Sequence, residues 1–234
     1  TPLTAYILAE LIDEAGYPAG VFNLVTGCGP EVGNALALHP DVRMLSFTGS
    51  TAAGREVARL ALSNIKRIAL ELGGKSAAIL LPGGDWEFGV KAVLDTVVLN
   101  AGQTCNALTR LLVPAAEQEK ANEIILNTLK QYKKGSNADP ESDIGPLSSR
   151  RQFDRVKKYI QIGIDEGATL LCGGLPGQDA EYRIDPTVFV NVKPGMRIEK
   201  EEIFGPVLAV LTLALAYPAA GSYVPSVVPE AGDS

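Results

Sequence analysis

The chain has 234 residues, 46% of them hydrophobic and 21% charged, enough for a sizeable core and close to ordinary globular composition. Its 21 Lys and Arg against 27 Asp and Glu give a net charge of −6 and a pI near 5.0, the wrong sign for a phosphate-neutralising surface, so nucleic acid is not expected as a partner. No apolar run of about 18 residues offers a membrane span. Cys28, Cys105 and Cys172 form neither a C-x-x-C pair nor a disulfide framework, which fits a reducing, cytoplasmic location. With His39 as the single histidine, neither a zinc site nor a Ser-His-Asp triad is expected, and chemistry falls to Cys, Glu and Lys.

The chain opens at Thr1-Pro2 with no Met and no signal-peptide pattern, and it reads as beginning mid-domain. Leu3, Ile7, Leu8, Leu11 and Ile12 recur at helical spacing up to Gly16-Tyr17-Pro18. Val21 to Val25 then reads as a strand, Thr26 to Pro30 as a glycine turn and Glu31 to Leu38 as a helix. The same order repeats as a strand from Val42 to Phe47, a small-residue turn from Thr48 to Gly54, and a helix from Arg55 to Leu62. Such repeats imply a largely parallel sheet of the dinucleotide-binding type, here only partly present.

Further strands are expected at Arg67 to Glu71 and Ser76 to Leu81, with a domain boundary near Gly73. A helix over Trp86 to Asn100, a strand over Leu111 to Pro114, and helices over Ala116 to Lys134 and Ser148 to Glu166 follow. Strands at Thr169 to Cys172, Pro186 to Val190 and Val207 to Leu215 complete a second α/β unit. The proline-bearing segment from Ala216 onward shows no periodicity and is expected to be loosely ordered.

Gly27-x-Gly29-x-x-x-Gly33 stands between strand and helix but departs from the dinucleotide spacing, so a plain turn with Pro30 at the first helical position explains it as well. Gly49 to Gly54 lacks the Lys and Ser/Thr ending of a P-loop. It reads either as a packing turn or as a small-residue helix N-terminus suited to an anion. Cys105 ends the small polar stretch Asn100 to Thr104, which suggests an accessible sulfur, although lone cysteines are commonly core residues. Glu71 lies among Ile68, Ala69, Leu70 and Leu72; burial there would raise a carboxyl toward the range of a general base, while bonding to the glycine turn is the structural alternative.

Four motifs taken in order carry a more specific signal. Phe47-Thr48-Gly49-Ser50-Thr51, Leu70-Glu71-Leu72-Gly73-Gly74-Lys75-Ser76, Asn100-Ala101-Gly102-Gln103-Thr104-Cys105 and Glu201-Glu202-Ile203-Phe204-Gly205-Pro206-Val207 closely resemble the aldehyde dehydrogenase superfamily over about residues 1 to 213. The resemblance implies a partial Rossmann-like cofactor domain at 1–73 and a partial α/β catalytic domain at 74–213, followed by an irregular, non-matching tail at 214–234. It also implies Cys105 as the nucleophile that forms a thiohemiacetal and then a thioester, and Glu71 as the base that activates the hydrolytic water. Gly49, Ser50 and Gly73 fall with the cofactor contacts, Glu202 with the nicotinamide ribose and Phe204 near the ring. The Cys105 N–H would supply half of an oxyanion hole.

The implied cofactor is NAD or NADP, the implied partner a small-molecule aldehyde, and no metal is called for. The full-length parent is expected to form homo-oligomers. Glu71 favours the hydrolytic branch of the superfamily over the acyl-CoA-forming one. The family's oxyanion asparagine and first strand would precede Thr1, and the tail reads as a frame change. Two other readings stay open: an inactive truncated fragment, and a cofactor-independent cysteine esterase using Cys105 and Glu71.

Overall fold

The structure, a computed structural model, describes residues 2–177 and 180–213, so the 214–234 segment expected to be irregular lies outside the described residues. The chain divides into two compact units, residues 1–73 and residues 74 onward. No helix among the described residues is long and apolar enough to cross a membrane.

In the first unit, helix α1 (Pro2–Glu14) follows its apolar spacing and stops before Gly16, whose φ of +78° suits glycine. The expected strand at Val21 to Val25 does not form. Its β-branched residues supply only propensity, and no neighbouring strand among the described residues gives it a ladder. Gly29–Gly33 makes one wide π-type turn, with Pro30 near its start, running into α2 (Asn34–Leu38). Strand β1 (Met44–Gly49) meets helix α3 (Thr51–Ala61) at Ser50, so the expected turn from Thr48 to Gly54 shrinks to a single capping residue.

The α3 crossover lets β1 pair in parallel with β2 (Arg67–Leu72), in a register that sets Thr48 opposite Glu71 and Gly49 opposite Leu72. Helix and strand lie close together: a Cβ built on Gly54 would sit 2.6 Å from Leu72 Cδ2. Lys66 is buried with its ammonium donating to the carbonyls of His39 and Val42, which satisfies the charge and ties the loop before β1 to the start of β2.

The second unit is a five-stranded sheet in the order β3-β4-β7-β6-β5. Its strands are β3 (Ala77–Ile79), β4 (Arg110–Pro114), β5 (Thr169–Cys172), β6 (Thr187–Val190) and β7 (Val207–Leu213). All neighbours are parallel except the β5–β6 edge pair, so the α/β architecture with parallel and mixed sheets is the one the sequence implied. Because strand side chains alternate, Phe189, Val207 and Ala209 pack on one face and Val188, Val190, Leu208 and Val210 on the other.

The first face is closed by α6 (Arg150–Asp165) and α7 (Arg197–Lys200) through Val156, Ile160 and Ile198. The second face is closed by α4 (Trp86–Val98) and α5 (Gln118–Leu129) through Val90, Leu94, Val97 and Ile125. Each such side chain fully withdrawn from water contributes roughly 1.5–3 kcal/mol, which explains why the central strands read as unbroken apolar runs. Helix α5 ends at Leu129, earlier than its periodicity suggested, because Lys133 turns away to bond Asp143 in the following loop. The one-turn α7 carries too few residues for a periodic signal.

Candidate active site

Helix α4 gives way to a kinked turn, Leu99–Gly102, in which Asn100, Ala101 and Gly102 have φ of 51°, 54° and 73°. Left-handed backbone costs a non-glycine residue about 1–2 kcal/mol, so Asn100 and Ala101 in succession need external support. Gln103 provides much of it. Its Nε2 donates to the Asn100 carbonyl at 2.9 Å, its Oε1 accepts from the Ser148 N–H at 3.0 Å, and the Asn100 side chain donates back to the Gln103 carbonyl at 3.1 Å. Cys105 emerges from this fixed turn with its thiol free and the residue exposed, as its small polar neighbours implied.

Gly74 lies alongside: a Cβ built on it would be 3.6 Å from the Cys105 carbonyl oxygen. Its N–H lies near enough to the Glu202 carboxylate to favour the charged form. Cys105 and Glu202, 97 residues apart in sequence, therefore both border Gly74.

The Glu202–Phe204 turn is held from α6. Arg155 Nη2 donates to the Glu202 carbonyl at 2.7 Å, and Gln152 Nε2 donates to the carbonyls of Ile203 at 3.2 Å and Phe204 at 2.6 Å. Phe204 itself is left-handed at φ 60°, a conformation these bonds help to fix.

Charge in this region is concentrated and partly uncompensated. Burial pushes the Glu202 carboxyl up, against the opposing pull of Arg155, the Gly74 N–H and Lys75. Burial also pushes the Lys75 ammonium down to about 8, assisted by Arg110 and resisted by Glu202 and Glu199. Lys75 is half-buried as a residue, but its Nζ is sealed from solvent. Lys75 Nζ, Glu202 Oε1 and Arg110 Nε are buried without a hydrogen-bond partner among the described residues, although Arg110 also pairs with Glu199 at 3.1 Å.

In the first unit, Gly49 and Ser50 lie at the carboxyl end of β1, and Glu71 and Gly73 at the carboxyl end of β2, where open α/β sheets place their ligands. Ser50 caps α3, its Oγ accepting the Ala53 N–H at 3.2 Å. Glu71 corrects an expectation, because it is exposed rather than buried. Leu72 packs toward Gly54 of α3, so strand alternation turns Glu71 to the opposite face, where it is exposed.

Among the described residues no group of three or more His, Cys, Asp or Glu is arranged to hold a metal. The model of the aldehyde dehydrogenase family matches residues 1–216. The chain belongs to the aldehyde dehydrogenase family.

Within that family it is 46% identical over 213 residues to a 3-succinoylsemialdehyde-pyridine dehydrogenase of a Pseudomonas species, covering 90% of this chain and 45% of that protein. A variant of aldehyde dehydrogenase C from Pseudomonas syringae, solved with NAD+ and octanal, superposes with a TM-score of 0.88 at 43% identity, covering 91% of this chain and 44% of that one. A betaine aldehyde dehydrogenase from Staphylococcus aureus, solved with NAD+, gives 0.87 at 36% identity over 91% of this chain and 43% of that one. The chain thus spans somewhat less than half the length of these aldehyde dehydrogenases.

Reading the sequence singled out Cys105, Glu202 and Phe204 in the second unit, and the structure sets Cys105 and Glu202 about one glycine. It missed Gln152 and Arg155, which carry no motif and look like ordinary polar positions on α6. Lys75 was inside a quoted motif, but only its depth and its unpartnered Nζ single it out.

Proposed function

We propose that this chain carries the nucleophile and part of the cofactor site of an enzyme that oxidises an aldehyde to a carboxylic acid with NAD or NADP. The observation that carries this reading is the exposed Cys105 thiol following a hydrogen-bonded left-handed turn, bordering the same glycine as the half-buried Glu202. The aldehyde dehydrogenase family supplies the chemical context.

In this reading the Cys105 thiolate attacks the aldehyde carbon. A C–S bond forms, and the carbonyl π electrons move to oxygen, where the Cys105 N–H donates to the developing charge. A bound nicotinamide would supply the hydride acceptor, the C–H bond breaking as the oxygen electrons re-form the carbonyl of a Cys105 thioester. Glu71 then takes a proton from water as it attacks the Cys105 thioester; the C–S bond breaks and sulfur departs as thiolate. An exposed carboxylate on β2 is available to solvent water for this role.

The residues present fit the cofactor. Glu202 Oε1 is an unused buried acceptor suited to a ribose hydroxyl, and the Ser50-capped start of α3 presents N–H groups and a helix dipole suited to a pyrophosphate near Gly49. Gly73 and Phe204 complete the proposed cofactor set. NAD+ in the solved relatives favours NAD over NADP. The free thiols of Cys28, Cys105 and Cys172 support a cytoplasmic setting, and homo-oligomers are proposed for the full-length parent.

Titration of NAD and NADP into the purified chain, followed by absorbance of reduced nicotinamide with a small aldehyde, tests this reading against a Cys105→Ala control. Nucleotide binding with Cys105-dependent reduction is expected. A folded chain that binds no nucleotide would instead favour the inactive-fragment alternative, and ester turnover without nucleotide would favour a cysteine esterase.

A further inference from the structure

Contacts to the segment from Glu201 to Ile203 converge on one buried ring, Tyr159 of α6. Its hydroxyl donates to Glu201 Oε2 at 2.6 Å, and Arg197 completes the grip on that carboxylate, Nε donating to Oε1 at 2.7 Å and Nη2 to Oε2 at 2.9 Å. The guanidinium of Arg155 lies over the same ring, 5.0 Å from its centroid, and that of Arg197 lies at 5.4 Å. Arg155 in turn donates to the Glu202 carbonyl at 2.7 Å and to the Ile203 carbonyl at 3.4 Å. Tyr159 therefore bears on three consecutive residues, on Glu201 through its hydroxyl and on Glu202 and Ile203 through Arg155.

The fold itself has little need of this arrangement. Helix α7 is already anchored by the buried Ile198, by the Arg197 N–H donating to Glu166 at 2.8 Å, and by Glu199 accepting from Arg110 of β4 at 3.1 Å. The Arg197–Glu201 pair is largely exposed, where ion pairs add little stability. What the bonds do fix is the backbone that carries Glu202, whose Oε1 is buried and unpartnered among the described residues, and the left-handed Phe204 two residues later.

We propose that Tyr159 is a positioning residue of the cofactor site, fixing through Glu201 and Arg155 the backbone from which the Glu202 carboxylate receives a ribose hydroxyl of the nicotinamide cofactor. The proposal rests on the cofactor reading given above. Tyr159 acts only through its two partners and is assigned no contact with the cofactor or the reacting atoms.

Two measurements on the full chain test it. The first is NAD affinity by titration in wild type, Tyr159→Phe, Glu201→Ala, Glu201→Gln and the Tyr159→Phe/Glu201→Ala double variant. Tyr159→Phe keeps the ring beside Arg155 and Arg197 and removes only the hydroxyl. The control is Tyr132→Phe, which removes a matching bond from a tyrosine hydroxyl to Asp95 at 2.7 Å elsewhere in the same unit. Expected are a loss of about three- to tenfold for Tyr159→Phe, the range of a residue that modulates a site without touching its ligand, and no loss for Tyr132→Phe. Glu201→Gln, which keeps an oxygen for the hydroxyl, should lose less than Glu201→Ala, and the double variant should be no weaker than the weaker single one.

The second measurement is amide hydrogen exchange without nucleotide over residues 201–207, which include the Glu201 N–H bonded to the Arg197 carbonyl at 2.8 Å. Exchange there should quicken in Tyr159→Phe and stay unchanged in Tyr132→Phe. Wild-type chain that binds no NAD would refute the cofactor reading, and the exchange arm would then decide whether Tyr159 fixes this backbone. Where wild type binds, unchanged affinity in Tyr159→Phe, an equal loss in Tyr132→Phe, strictly additive losses or unaltered exchange would each overturn the proposal.

Discussion

Gly102 meets Gly205 backbone to backbone: a Cβ built on Gly102 would collide with the Gly205 carbonyl and lie 2.6 Å from the Pro206 nitrogen. The turn that presents Cys105 and the turn that follows Phe204 are thereby pressed together with no side chain between them. Gly102 also has φ of 73°, so Gly102→Ala adds left-handed strain to overpacking, and a destabilisation of about 2–4 kcal/mol is expected. Urea unfolding of the two proteins measures it; equal midpoints would mean that the turns can separate freely.

Burial of the Lys75 ammonium carries a stability cost. Its folded pKa, about 8, lies below the ordinary lysine value, so folding disfavours the proton. The stability associated with the deprotonated form is present above about pH 10.5 and is lost as pH falls through about 8. Lys75→Met should therefore be more stable than wild type at pH 7, by roughly 1–3 kcal/mol, and its advantage should shrink between pH 8 and 10.5. Denaturant midpoints across that range check the sign, and a less stable Lys75→Met at pH 7 would contradict it.

Glu201 behaves oppositely to its neighbour. Bonds from Arg197 and the Tyr159 hydroxyl hold its carboxyl down at about 2. A depressed folded value stabilises the fold above the unfolded pKa of about 4.3 and loses that contribution as pH falls through about 2. Glu201→Gln should lower Tm slightly at pH 7 and flatten the acid limb of the Tm profile below pH 4. The effect is small because the Arg197–Glu201 pair is largely exposed. Calorimetry from pH 2 to 7 resolves it, and parallel profiles would remove the pair from the account.

Ser50 is the side-chain cap of α3. Ser50→Ala should cost about 1 kcal/mol by leaving the Ala53 N–H without its acceptor, whereas Ser50→Asp should retain the cap. If Ser50 also meets a pyrophosphate, Ser50→Asp should weaken nucleotide binding by like-charge repulsion even though the helix is restored. Paired thermal melts and NAD titrations separate these roles.

The second unit was largely legible in the sequence because its strands are buried on both faces and its helices are long. Val207 to Leu211 and Val188 to Val190 are apolar without interruption, a pattern a central parallel strand requires. Val21 to Val25 has similar composition but no ladder partner among the described residues, and composition cannot report whether a neighbour exists. Glu71 was misjudged for a related reason: its apolar flanks describe its strand neighbours, whereas exposure depends on whether anything covers its face. The motif around Cys105 was readable, but the bonds from Gln152 and Arg155 that position Glu202–Phe204 span about fifty residues and leave no local trace.

The strand order of the second unit also bears on how it is made. β7 lies between β4 and β6, although it leaves the ribosome after both. Until it emerges, β4 and β6 each present an open ladder edge, and the apolar faces carrying Phe189 and Leu111 lack their central strip. The final docking joins segments about a hundred residues apart, the kind of non-local closure that slows folding and prolongs exposure of strand edges. Nascent chains of this unit should therefore depend on holdase protection during the interval between synthesis of β6 and arrival of β7.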